Sequence, residues 1–129
     1  MEIVGQPPVL AGLQCDAFVC EGFAHNGALI ANANVVHVCF AGVWHRLVLD
    51  CGVIFWQQSE VQPNPWSIAS EGFEYPHVDV GAISDVIGLR LSDYRMETTA
   101  AGSKVVFLFE SGRTIAIIDE NDKSNFRVD

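Results

Sequence analysis

The sequence predicts a mainly β fold: two antiparallel meanders forming a sandwich or partly closed barrel, with one or two short helices. Three observations predict it. Apolar and polar residues alternate at period two over most candidate segments, the period of a strand with one buried face. Those segments are dense in valine, isoleucine and aromatic residues, which fit a pleated, half-buried surface. Turns containing glycine separate them at short intervals, supplying the positive φ that tight hairpins need. With 129 residues, half of them hydrophobic and 18% charged, the chain suits one domain with its own core and is too apolar to stay disordered.

Taken in order, Pro7 and Pro8 mark a loop, Ala11 to Phe23 reads as a strand or a short helix, and His25-Asn26-Gly27 reads as a turn. In Asn34 to Phe40, Val36, Val38 and Phe40 share one strand face, and His37 and Cys39 share the other. His45 to Asp50, the turn Cys51-Gly52 and Val53 to Gln58 then form a hairpin signature. The grammar returns in Val86 to Leu91, Lys104 to Glu110, the turn Ser111-Gly112 and Arg113 to Asp119. Residues 47–55 superpose on 107–115 without a gap, and Val35–Phe40 on Val86–Leu91, so one β-rich domain (1–129) carries an approximate repeat, 33–58 and 85–119. The acid- and proline-rich connection 59–84 joins the two units. Pro63, Pro65 and Pro76 exclude a central strand there, and residues 79 to 86 suit one short helical turn. Phe126 and Val128 add a final edge strand after the polar turn Glu120 to Ser124.

Charge narrows the function classes. Residues 1 to 89 hold nine acids and one base, Arg46, whereas residues 90 to 129 hold seven acids and six bases, so nearly all of the net −9 lies in the first two-thirds. Such a field attracts basic surfaces and repels phosphate polymers, which argues against nucleic acid as a partner. No apolar run approaches the roughly 20 residues that span a bilayer, so no membrane partner is expected. The N-terminus lacks a basic region ahead of an apolar run, which argues against a secretory signal. Cys15, Cys20, Cys39 and Cys51 then read as reduced thiols of a cytoplasmic protein.

Catalytic and metal chemistry find little local support. Cys15, Cys20, His25, His37, Cys39, His45 and Cys51 offer soft ligands, but only Cys15 and Cys20 have the spacing of a zinc knuckle and no second pair completes it. No G-x-S-x-G elbow, H-E-x-x-H, P-loop or G-x-G-x-x-G occurs. The expectation is a protein without catalytic residues, metal or cofactor. The alternative is a small β domain that binds a small ligand or acts as an enzyme through a pocket lined by His37, Cys39 and their neighbours.

The candidate partner-binding residues are Glu60, Trp66, Glu71, Phe73, Glu74, Tyr75 and Asp79, which lie within 20 residues containing no Lys or Arg. Aromatic side chains anchor protein interfaces, and charge complementarity speeds docking and selects partners. The competing reading has Trp66, Phe73 and Tyr75 plugging one open end of the β structure, with the acids facing water. The paired hairpins Leu47 to Gly52 and Phe107 to Gly112, with the acidic excess before Arg90, resemble small acidic bacterial immunity proteins of toxin–immunity systems. The resemblance implies a cytosolic antidote that binds and neutralises a basic toxin domain, often a nuclease, with carboxylates offered where a nuclease expects phosphates. Immunity proteins share no common motif, so no functional residue is carried over by position.

Overall fold

A computed structural model describes residues 1–129. The chain forms twelve strands, β1 (Glu2–Val4), β2 (Cys15–His25), β3 (Ala28–Phe40), β4 (Val43–Asp50), β5 (Val53–Ser59), β6 (Trp66–Ile68), β7 (Phe73–Tyr75), β8 (His77–Asp79), β9 (Leu91–Thr99), β10 (Gly102–Phe109), β11 (Thr114–Glu120) and β12 (Lys123–Val128). Its helical content is a 3-10 turn at Ala69–Glu71 and a one-turn helix α1 at Val80–Ile83.

The strands make two sheets. The larger has the order β1-β5-β4-β3-β2-β7-β6, with β8 also paired to β2, and the smaller runs β12-β11-β10-β9. Both predicted meanders are present: β3-β4-β5 in the larger sheet and β9-β10-β11 in the smaller. The first strand of the second meander, however, is not Val86 to Leu91. Asp85 (φ 59°) and Gly88 (φ 85°) adopt left-handed conformations, which break an extended run, and the strand starts at Leu91 and continues to Thr99. Its polar sequence, Leu-Ser-Asp-Tyr-Arg-Met-Glu-Thr-Thr, fits an edge strand, whose pairing is needed on one side only.

Local chemistry sets most of the register. The β4–β5 hairpin closes through Cys51 (φ 50°) and Gly52 (φ 78°), the two-residue turn whose twist matches its strands. Asn26-Gly27, Ala41-Gly42 and Asn121-Asp122 close three more hairpins in the same way. The turn between β10 and β11 is longer: the Phe109 amide donates to the Arg113 carbonyl, and Gly112 takes φ 92°. The ungapped superposition of 47–55 on 107–115 thus aligns buried strand positions across two different turn types.

One core lies between the sheets. Phe18, Val36, Val38, Phe40, Leu47 and Ile54 from the larger sheet meet Leu91, Val105, Phe107, Ile115 and Ile117 from the smaller. Phe18 and Phe107 meet edge to face at 5.0 Å, a geometry that aligns a ring edge with a π face. Leu47, Leu49, Phe107 and Phe109 are all buried, as their alternation requires. Along one side the sheets are joined by polar contacts: Asn32 accepts from the Phe126 amide at 2.8 Å, and its own amide donates to Asn125 at 3.0 Å. No helix is long and apolar enough to cross a membrane.

Candidate functional site

The connection between the meanders does not hang free. Its prolines confine it to three-residue strands at the sheet edge, where missing amides do no harm. β6 and β7 form a small ribbon, Trp66 opposite Tyr75 and Ile68 opposite Phe73. β7 then pairs with the end of β2, Pro76 interrupts, and β8 resumes on β2 with His77 opposite Glu21 and Asp79 opposite Val19. The Gly22 amide donates to the Pro76 carbonyl at 2.8 Å, so the two short strands stay in line across the proline.

This pairing lays out a row of side chains. On β2, Phe18 and Cys20 turn into the core, so Val19, Glu21, Phe23 and His25 fall on the outer face by alternation. Opposite them stand Asp79, His77, Tyr75 and Phe73. At the ribbon end the row is aromatic: Phe23 lies 5.6 Å from Phe73 and 5.5 Å from Tyr75, and His25 lies 5.0 Å from Phe73. Trp66 stacks on Tyr75 with centroids 3.8 Å apart and planes 8° from parallel, and remains 49% exposed. The aromatics therefore cover Phe23 at the outer end of β2 and leave an indole in water; they do not fill the space between the sheets.

The predicted partner-binding residues are thus divided. Trp66, Phe73 and Tyr75 share the ribbon's aromatic side, and Glu74 falls on the opposite side by alternation. Glu71 sits in the 3-10 turn at the ribbon tip, and Glu60 stands in the loop leading into β6; both are exposed. Asp79 stands apart in a structural role, its Oδ1 accepting from the Ala82 amide at 3.1 Å to cap α1.

Midway along the same row is a cluster that no local motif announced. Glu21 is 7% exposed, and its Oε1 accepts from His77 Nε2 at 3.0 Å and His37 Nε2 at 3.4 Å. His37 comes from β3, one strand over from β2, and the two imidazole centroids lie 5.7 Å apart. Burial by itself raises the Glu21 carboxyl, but hydrogen bonds from both histidines, with their charge, outweigh it and hold the group below its ordinary range. The sequence carried two signs of this: a glutamate at an outward position of an apolar strand, and a histidine directly after Pro76. Neither reveals that β8 docks on β2.

His37 and Cys39, the residues named for the alternative pocket, both belong to β3. Cys39 is buried beside Asp16, its Sγ 4.0 Å from Oδ2, and five of the surface grooves are lined by neither Cys39 nor His37. All four thiols are unpaired. Burial, reinforced by the Asp16 charge, pushes Cys15 up to about 12 and raises Cys39. Burial alone raises Cys20, and the hydrogen bond and charge of Asp50, followed by Asp122, raise exposed Cys51. Each of these shifts disfavours the thiolate, the nucleophilic and metal-binding form of the side chain.

The charge asymmetry persists in space. Lys and Arg pair with acids only in the C-terminal third: Arg95 and Lys104 with Glu97, and Arg127 with Asp129. Glu60, Glu71, Glu74 and Asp79 have no such partner. No protein-family model, curated protein or solved structure matches the chain.

Proposed function

We propose that this protein is a non-catalytic inhibitor of the immunity type, which binds and neutralises a basic toxin domain in the cytoplasm. The observation that carries the reading is the half-exposed Trp66–Tyr75 stack on an edge ribbon, with Glu71 at its tip and no base between Arg46 and Arg90. Rigid aromatics of this kind anchor interfaces at small entropic cost, and an unneutralised acidic field raises the encounter rate with a basic partner. The same field disfavours nucleic acid as the ligand. Four unpaired thiols fit a reducing compartment, and the raised pKa values of Cys15, Cys39 and Cys51 disfavour the nucleophilic thiolate.

The test is to sequence the neighbouring reading frame and co-express the protein with any basic toxin domain it encodes. A one-to-one complex, relief of toxicity, and an association rate that falls steeply with salt are the expected results. A salt-independent rate, or toxicity unrelieved by the intact protein, overturns the proposal.

A further inference from the structure

We infer that Glu21, His37 and His77 form a binding site for one divalent transition-metal ion of the zinc class. The geometry rests on convergence. Three ligand atoms, Oε1 of Glu21 and Nε2 of both histidines, approach one another from three neighbouring strands, β8, β2 and β3, and all lie within 4.8 Å. Zinc holds nitrogen and oxygen ligands at about 2.0–2.2 Å, which sets tetrahedral neighbours roughly 3.4 Å apart. The two Glu–His separations, 3.0 and 3.4 Å, already sit near that edge. The His–His edge lies within 4.8 Å and would have to close toward the same length by rotation of the imidazoles.

The donor set also selects the ion. Two imidazoles and one carboxylate suit zinc and its neighbours, whereas calcium and magnesium prefer oxygen alone. The site is shielded but reachable: the three side chains keep 12%, 10% and 11% exposure for His37, Glu21 and His77. Solvent that reaches the three ligands would supply water as the fourth, the arrangement of an open zinc site. Strand pairing fixes the ligand backbones before the ion arrives, with Glu21 directly opposite His77 and His37 opposite Val19, so little ordering is needed on binding. A bound ion would clamp β8 to β2 and β3 within the large sheet. This inference does not depend on the proposed inhibitor role.

The experiment uses the full chain without a histidine tag, stripped with chelator and titrated with zinc against a chromophoric competitor, then with cobalt(II) to read its visible absorption. Expected are one zinc per chain, cobalt bands of a nitrogen–oxygen site, a raised melting temperature with zinc and none with calcium or magnesium, and weaker binding at lower pH as protons compete for the ligands. Glu21→Gln, His37→Gln and His77→Gln should each lose binding, while His25→Ala and His45→Ala retain it. Circular dichroism screens for folding, and Glu21→Gln, which keeps the side-chain volume, serves if a histidine variant unfolds. Failure of the wild-type protein to bind zinc, or binding retained in the triple variant, overturns the inference.

Discussion

On β2 and β3, Phe18, Cys20, Val36, Val38 and Phe40 turn inward and are wholly buried beneath the smaller sheet, while Glu21, Phe23 and His37 turn to the opposite side. No second sheet lies over that side; only the short strands β7 and β8 border it. The inner face satisfies itself, with apolar atoms packed on apolar atoms. The outer face gathers a buried carboxylate, two imidazoles and a partly exposed aromatic row, features that cost stability unless they serve a second purpose. The same two strands thus present a packed apolar face and a polar, aromatic face by nothing more than alternation.

Four substitutions sharpen the contrast, from the largest effect to the smallest. Phe107→Ala removes a ring that meets Phe18 across the core and Tyr94 on the adjacent strand, and should destabilise by roughly 3–5 kcal/mol in urea unfolding. A cost below about 1 kcal/mol would mean that the two sheets do not share this core. Asp79→Ala removes the cap of α1 at the border of the faces and should cost about 1 kcal/mol, read the same way.

Glu21→Gln tests the outer face through pH. The Glu21 carboxyl is held low in the folded chain, so the unfolded chain binds its proton more readily. Its contribution is complete above the ordinary carboxyl range and is lost as pH falls through the lowered folded value. Unfolding midpoints measured down an acid series should therefore decline less steeply in Glu21→Gln than in the wild type. Identical slopes would show that the histidines do not stabilise the charged form. The paired reversal Glu71→Lys and Glu74→Lys should leave stability within about 0.5 kcal/mol, since both residues are exposed and unpaired, yet slow association with a basic partner. Reversing Glu110, in the nearly neutral C-terminal third, should slow it less; equal effects would reduce the interaction to net charge.

Much of the inner face was legible in the sequence. Period-two alternation placed Leu47, Leu49, Phe107 and Phe109 in the core, and Gly52 and Gly112 marked turns because both need a left-handed backbone. The polar strand Leu91–Thr99 is hidden in the sequence because an edge strand needs no apolar face, while Val86 to Leu91 reads as a strand although Val86 and Leu89 pack a loop against the core and Ile87 stays exposed. The outer face was legible only in part. Trp66, Phe73 and Tyr75 declared themselves by composition, but their division from Glu74 and Asp79 depends on how the ribbon pairs. Glu21, His37 and His77 were hidden because their meeting rests on long-range pairing of β8 with β2, 56 residues apart at Glu21 and His77.

The most direct test of the proposal that the outer face binds a basic toxin domain is the dissociation rate of such a complex, compared between the wild type and Trp66→Ala. A buried anchor worth about 2 kcal/mol should speed dissociation roughly 30-fold, with the unfolding midpoint nearly unchanged because the indole is half exposed. An unchanged dissociation rate for Trp66→Ala, with loss of binding from reversal of Glu110 instead, would contradict the account and move the interface to the smaller sheet.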